Sequence, residues 1–208
     1  MNHVSHTTRR GLLLAGGATA ALAVLSLAGC DRILPASFNG VDITGASYAQ
    51  DFRLTDADGR ERTLADFKGK AVMMFFGFTQ CPDVCPTALV RAAEIKRLLD
   101  ADGDRLQVIF VTVDPERDLP VVLKAYTQAF DPSFIGLYGD LQKTAETAKA
   151  FKVFYKKVPT GSSYTMDHSA FSYVFDPKGK IRLVLRHEQG AQECAQDLRQ
   201  ILGKAASA

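Results

Sequence analysis

Uncharged runs and mixed stretches alternate along this chain in an order that assigns most of its elements. Ala71 to Phe78 is eight residues without a charge. Such a run reads as a strand buried on both faces, as in a parallel sheet. Leu106 to Val113 (LQVIFVTV) is a second run of the same kind. Between them, Leu89, Ala92, Ala93, Leu98 and Leu99 supply the buried face of a helix predicted from Pro86 to about Ala101, with proline suited to its first turn. Further helices are predicted over Leu119–Phe130 and Leu141–Phe151, and a short strand over Val153–Val158. Phe171–Phe175 and Ile181–Arg186 flank the turn Asp176-Pro177-Lys178-Gly179, which predicts a hairpin. A last helix runs from Ala191 to about Leu202. Upstream, Asp51–Leu54 followed by Asp56-Ala57-Asp58-Gly59 suggests a short strand and a turn. Strands alternating with helices, then a hairpin and a helix, predict an α/β layered domain.

The first 29 residues follow a different pattern. Arg9 and Arg10 precede an uncharged stretch from Gly11 to Leu27, rich in Leu and Ala and loosened by Gly16-Gly17. A basic segment, an apolar segment and a small-residue site make a secretory signal. The competing reading, a permanent transmembrane helix, needs about 20 strongly apolar residues, and the many small residues here suit it poorly. Leu27-Ala28-Gly29-Cys30 resembles a lipobox, which implies cleavage before Cys30 and lipidation of that cysteine. Asp31 resembles the signal that keeps lipoproteins in the inner membrane, and Thr8 to Leu13 resembles a twin-arginine export motif. The expected organisation is a signal peptide over 1–29, a tether over 30–47 holding Pro35, Gly40 and Gly45, a domain over 48–203 and a tail over 204–208. The expected location is the periplasmic face of the inner membrane, with Cys30 as the lipid anchor.

Removal of residues 1–29 leaves 179 of 208 residues and 23 of the 25 lysines and arginines, against 23 acidic side chains. With the formal charge near zero and no block of like charge, a nucleic-acid partner is disfavoured. The length suits one domain with a proper core. With Cys30 assigned to lipid, Cys81 and Cys85 form a close pair and Cys194 stands alone. A disulfide across so short a loop would constrain little of the unfolded chain, so chemistry is the better reason for the pair.

The pair lies in Gly77-Phe78-Thr79-Gln80-Cys81-Pro82-Asp83-Val84-Cys85-Pro86, where a buried strand hands over to a helix. Sites in open α/β sheets collect at such carboxyl ends. Helix N-terminal N–H groups favour negative charge, so both sulfurs are expected to be usable as thiolates. Four-residue spacing lets them converge on one metal, or oxidise to a disulfide after a small movement. His168 lies in Thr165-Met166-Asp167-His168-Ser169-Ala170, in a loop expected just before the penultimate strand. In a thioredoxin-like arrangement that loop lies beside the cysteine turn. Two thiolates and one imidazole are a soft-leaning set of three, suited to copper; a closed structural zinc site wants a fourth ligand that is not evident.

Three segments, GFTQCPDVCPTAL from Gly77, VTVDPERD over 111–118 and DHSAFSYVFDPKGK over 167–180, resemble the Sco/SenC family in the family's order, and the resemblance covers about residues 48–203. Leu119 stands where many members have threonine. The resemblance implies a thioredoxin-like fold with a central mixed sheet flanked by helices, and one copper ion, Cu(I) or Cu(II), held by Cys81, Cys85 and His168. It further implies assembly of the binuclear copper centre in cytochrome c oxidase subunit II, as a copper chaperone rather than an enzyme. The alternative is a thiol-disulfide reductase acting on that subunit's cysteines through Cys81 and Cys85, with peroxidase activity by fold analogy a third reading. The implied partners are subunit II, another periplasmic copper chaperone or thiol reductant, and the membrane through the lipid. Asp114, Pro115, Arg117 and Asp118 are read either as a docking or stiffening loop or as a turn with surface charges. Asp167 is a candidate to orient His168, or a solvent-facing aspartate. Met166 reads as packing ahead of a copper thioether, Cys194 as a buried thiol in the last helix, and His187 has no assigned partner.

Overall fold

The computed structural model describes residues 37–203. The signal, the lipobox and Cys30 lie outside the described residues. The two uncharged runs become adjacent central strands, β4 (Ala71–Gly77) and β5 (Leu106–Thr112), every residue of both buried. They pair in parallel, Ala71 opposite Leu106 through to Gly77 opposite Thr112. Strands in chain order are β1 (Val41–Asp42), β2 (Leu54–Asp56), β3 (Glu61–Arg62), β4, β5, β6 (Ile135–Tyr138), β7 (Tyr155–Thr160), β8 (Ser163–His168), β9 (Ser172–Phe175) and β10 (Ile181–Leu185). Eight of them form one mixed sheet in the order β1-β10-β9-β4-β5-β6-β2-β3, while β7 and β8 pair separately. The helices are α1 (Val84–Leu98), α2 (Pro120–Gln128), α3 (Leu141–Ala150) and α4 (Ala191–Leu202). Helix α1 packs against α4, and α2 against β6. This central mixed sheet flanked by helices is a thioredoxin-like arrangement, as the resemblance implied.

Several expectations change. Helix α1 starts at Val84, two residues before Pro86, and ends at Leu98; a 3₁₀ turn over Asp100–Arg105 replaces its expected last turn. The unanticipated β6 and β8 complete the sheet and a hairpin. His168 is therefore the last residue of a strand, with Tyr155 opposite it, and not a loop residue.

Part of the expected tether is docked. Val41 and Asp42 pair with Val184 and Leu183 of β10, and the Ile43 N–H donates to the Arg182 carbonyl. Just before β1, the buried carboxylate of Asp197 in α4 accepts the Asn39 and Gly40 backbone N–H groups and the Asn39 side-chain amide. A buried carboxylate needs such donors, so the folded domain extends upstream of Tyr48. No helix among the described residues is long and apolar enough to cross a membrane.

Candidate metal centre

Cys81 follows β4 in the loop that leads to α1, and Cys85 lies in the first turn of that helix. Gly77 lets them approach the sheet: a Cβ built there would lie 2.7 Å from the Cys85 Sγ, 2.8 Å from the Phe110 ring and 2.9 Å from the Phe75 ring. His168 arrives on β8 from the separate hairpin. Its ring packs edge-on against Phe75 and Phe78, with centroids 5.9 and 5.8 Å apart. One donor atom from each of Cys81, Cys85 and His168 lies within 4.8 Å of the others. The Cys85 Sγ is 3.4 Å from the His168 Nε2.

The imidazole is oriented by the Ser169 carbonyl, 3.0 Å from Nδ1. A proton on Nδ1 leaves the Nε2 lone pair facing the sulfurs, the form a metal takes. Asp167, the sequence candidate for this task, is exposed and sits opposite Lys156 instead.

The expectation that both sulfurs are usable as thiolates gives way to a strong asymmetry. Cys81 is half-buried, and its thiol is pushed down to about 3. The largest cause is hydrogen bonding from the Cys85 side chain; burial opposes it, and His168 and the backbone N–H groups of Asp83 and Cys85 add to the lowering. The Cys85 N–H donates to the Cys81 Sγ at 3.4 Å. Cys85 is fully buried and pushed well above the ordinary thiol range, first by its hydrogen bond to Cys81 and then by burial. Cys81 is therefore the more acidic sulfur of the pair, and Cys85 the one that keeps its proton longer as pH rises.

Around the donors lies a polar network that sequence reading left undecided. Asp114 and Asp118 are buried, so they are not surface charges of a turn. The Asp118 carboxylate accepts the Thr79 N–H and hydroxyl and, at 2.6 Å, the Thr112 hydroxyl. Burial raises the Asp118 pKa, and these bonds oppose the rise. Asp114 accepts the Arg117 Nε–H and the Tyr164 hydroxyl. The DPERD segment signalled its two aspartates and arginine; nothing in spacing marked Thr79, Thr112 or Tyr164. Met166 is buried in the core, and Cys194 is fully buried in α4 with its thiol pushed up to about 11 by burial. His187 follows β10, and its carbonyl accepts a hydrogen bond from Arg91.

Residues 41–203 match the sequence pattern of the SCO1/SenC family. The chain belongs to that family. The SCO2-like protein of Rickettsia felis is 41% identical over 133 residues, covering 62% of this chain and 65% of that protein. The structure of Bradyrhizobium japonicum ScoI with copper bound is 41% identical with a TM-score of 0.67, covering 73% of this chain and 97% of ScoI. BsSco, described as a member of the Sco family of cytochrome c oxidase assembly proteins, shares the fold at 24% identity and a TM-score of 0.63, over 80% of this chain and 99% of its own.

Proposed function

We infer that this chain is a copper carrier that serves cytochrome c oxidase assembly, taking one copper ion through Cys81, Cys85 and His168 and passing it to the binuclear centre of subunit II. The observation that carries this reading is the convergence of two sulfurs and an imidazole nitrogen within 4.8 Å. Such a set suits Cu(I) and leaves room for an incoming sulfur. Cu(I) binding joins the Cys81 thiolate, the Cys85 sulfur and the His168 Nε2, and the Cys85 thiol releases one proton. On transfer, a client thiolate adds to copper before one of these donors leaves. Export and lipidation at Cys30, which would hold the domain at the periplasmic face of the inner membrane, belong to the same reading. Intact-mass analysis of the membrane fraction should find residues 1–29 absent and acyl mass added; an unprocessed chain would contradict it.

Metal analysis of protein purified anaerobically tests the site. One copper per chain is expected in wild type and in Cys194→Ser, and loss of copper in Cys81→Ser and in Cys85→Ser. Full copper in either paired variant would remove the assignment.

The cysteine asymmetry supports a second reading. A half-buried thiolate beside a buried thiol is the arrangement of an attacking and a resolving cysteine. In a thiol-disulfide reductase, Cys81 would attack a disulfide of subunit II, breaking its S–S bond, releasing one client sulfur as a thiolate and forming a mixed disulfide with the other. Cys85 would then lose its proton and displace the client thiolate, leaving Cys81 and Cys85 oxidised as a disulfide.

A further inference from the structure

His168 reaches the cysteines from outside the main sheet, so something must fix how far the hairpin stands from the cysteine loop. The ring packing on Phe75 and Phe78 is apolar, and the Nδ1 partner, the Ser169 carbonyl, belongs to the next residue of the same segment. The polar ties converge on the segment between β5 and α2. On one side, Asp118 holds Thr79, two residues before Cys81. On the other, Asp114 holds the hydroxyl of Tyr164, on the strand that ends in His168.

One side chain touches both halves. Arg117 Nη1 donates to the Gln80 Oε1 at 3.1 Å, directly before Cys81, and to the Tyr164 carbonyl at 2.8 Å. Its Nε–H donates to Asp114, and its guanidinium stacks on the Tyr164 ring, 3.7 Å from the centroid. Its Nη2 is buried without a hydrogen-bond partner among the described residues. The exposed pair of Lys157 with Glu116, which also joins the hairpin to this segment, is the kind that contributes little.

We propose that Arg117 is a positioning residue that sets the separation between the cysteine pair and His168, and so tunes how firmly copper is held. The inference rests on the copper reading of Cys81, Cys85 and His168. It predicts that Arg117 acts through the imidazole: freed of the fork, the hairpin shifts and the third donor is presented less often.

The test is a Cu(I) competition titration of wild type, Arg117→Lys, His168→Ala and the double variant, with hydrogen exchange of the metal-free proteins alongside. Outer partners of metal-binding histidines typically matter 10–100-fold in affinity, and Arg117→Lys is expected to weaken copper by about that factor in the wild-type background. In the His168→Ala background the same change should have little further effect. Exchange should quicken across β7 and β8 while α1 keeps its protection. Equal loss in both backgrounds, or hairpin exchange unchanged by Arg117→Lys, overturns the proposal. Should Arg117→Lys not fold, Arg117→Gln carries the same comparison, because it removes the fork that reaches both Gln80 and Tyr164 and keeps a polar side chain. A wild-type protein that takes no copper would defeat the copper reading, while the exchange comparison would still decide the role of Arg117.

Discussion

Cys81 and Cys85 are the same chemical group in two environments, four positions apart. The Cys81 sulfur accepts the Cys85 N–H and hydrogen bonding from the Cys85 thiol, whereas Cys85 is fully buried, its sulfur beside Gly77. A titration of thiolate absorbance on the reduced, metal-free protein should therefore show one thiolate across neutral pH. It should be lost only as pH falls toward about 3, and be absent at neutral pH in Cys81→Ser. Because that pKa is lower folded than the ordinary thiol value near 8.5, the group favours the folded state most above the unfolded value, and its contribution declines as pH falls through the window to about 3. His168 separates carrier from reductase. Its replacement by alanine removes a donor outright, so Cu(I) affinity should fall by at least the ~10–100-fold typical of losing a mere outer partner. Reduction of a subunit II disulfide should change far less, since both cysteines remain. Unchanged copper affinity with collapsed reduction would instead favour the thiol reading. The residue types and motifs around these three side chains were legible in the sequence. The unequal ionisation was not, because it depends on which sulfur faces the core.

At the scale of elements, the close approach of β4 to α1 depends on Gly77. An added methyl there overlaps the Cys85 sulfur and two rings. Gly136 in β6 is crowded in the same way, its built Cβ 2.4 Å from Leu123 of α2, but neither element carries a donor. Both Gly77→Ala and Gly136→Ala are expected to lower stability by about 1–3 kcal/mol through overpacking. Only Gly77→Ala should also weaken copper, because only there is a donor displaced. Thermal melts beside copper titrations check the pair, and equal copper affinity in the two variants would contradict this account. The same contrast explains which elements could be read in advance. Strands β4 and β5 are long uncharged runs, and no other element fits them. β6 is Ile-Gly-Leu-Tyr, too short and glycine-interrupted to signal a strand. β8 is Ser-Tyr-Thr-Met-Asp-His, with only Met166 fully buried, because it pairs in a hairpin apart from the main sheet and lacks its alternation.

For the molecule as a whole, the open question at the sequence level was where the domain begins. Composition places the boundary at Tyr48, since Gly40, Gly45 and the absence of periodicity look like linker. Local pattern cannot reveal that Asp197, more than 150 positions away, is buried and has its oxygens filled by Asn39 and Gly40. Strand β1 also covers the edge of β10, which otherwise presents unpaired backbone groups. A chain begun at Ser37 should therefore melt at a higher temperature than one begun at Tyr48. A chain begun at Tyr48 loses the N–H partners of the Asp197 carboxylate, where hydrogen bonds to a charged group contribute about 1.5–3 kcal/mol, and exposes the β10 edge. Its melting temperature should drop and its tendency to associate should rise. Asp197→Asn in the longer chain reproduces part of the drop, as one oxygen that accepts an N–H becomes a donor facing donors. In the chain begun at Tyr48 the same substitution should be neutral, because the N–H partners it would disturb are gone. That disappearance of the effect, read from four thermal melts, is the decisive outcome. Equal melting temperatures for the chains begun at Ser37 and Tyr48 would mean that residues 37–47 are dispensable to the fold.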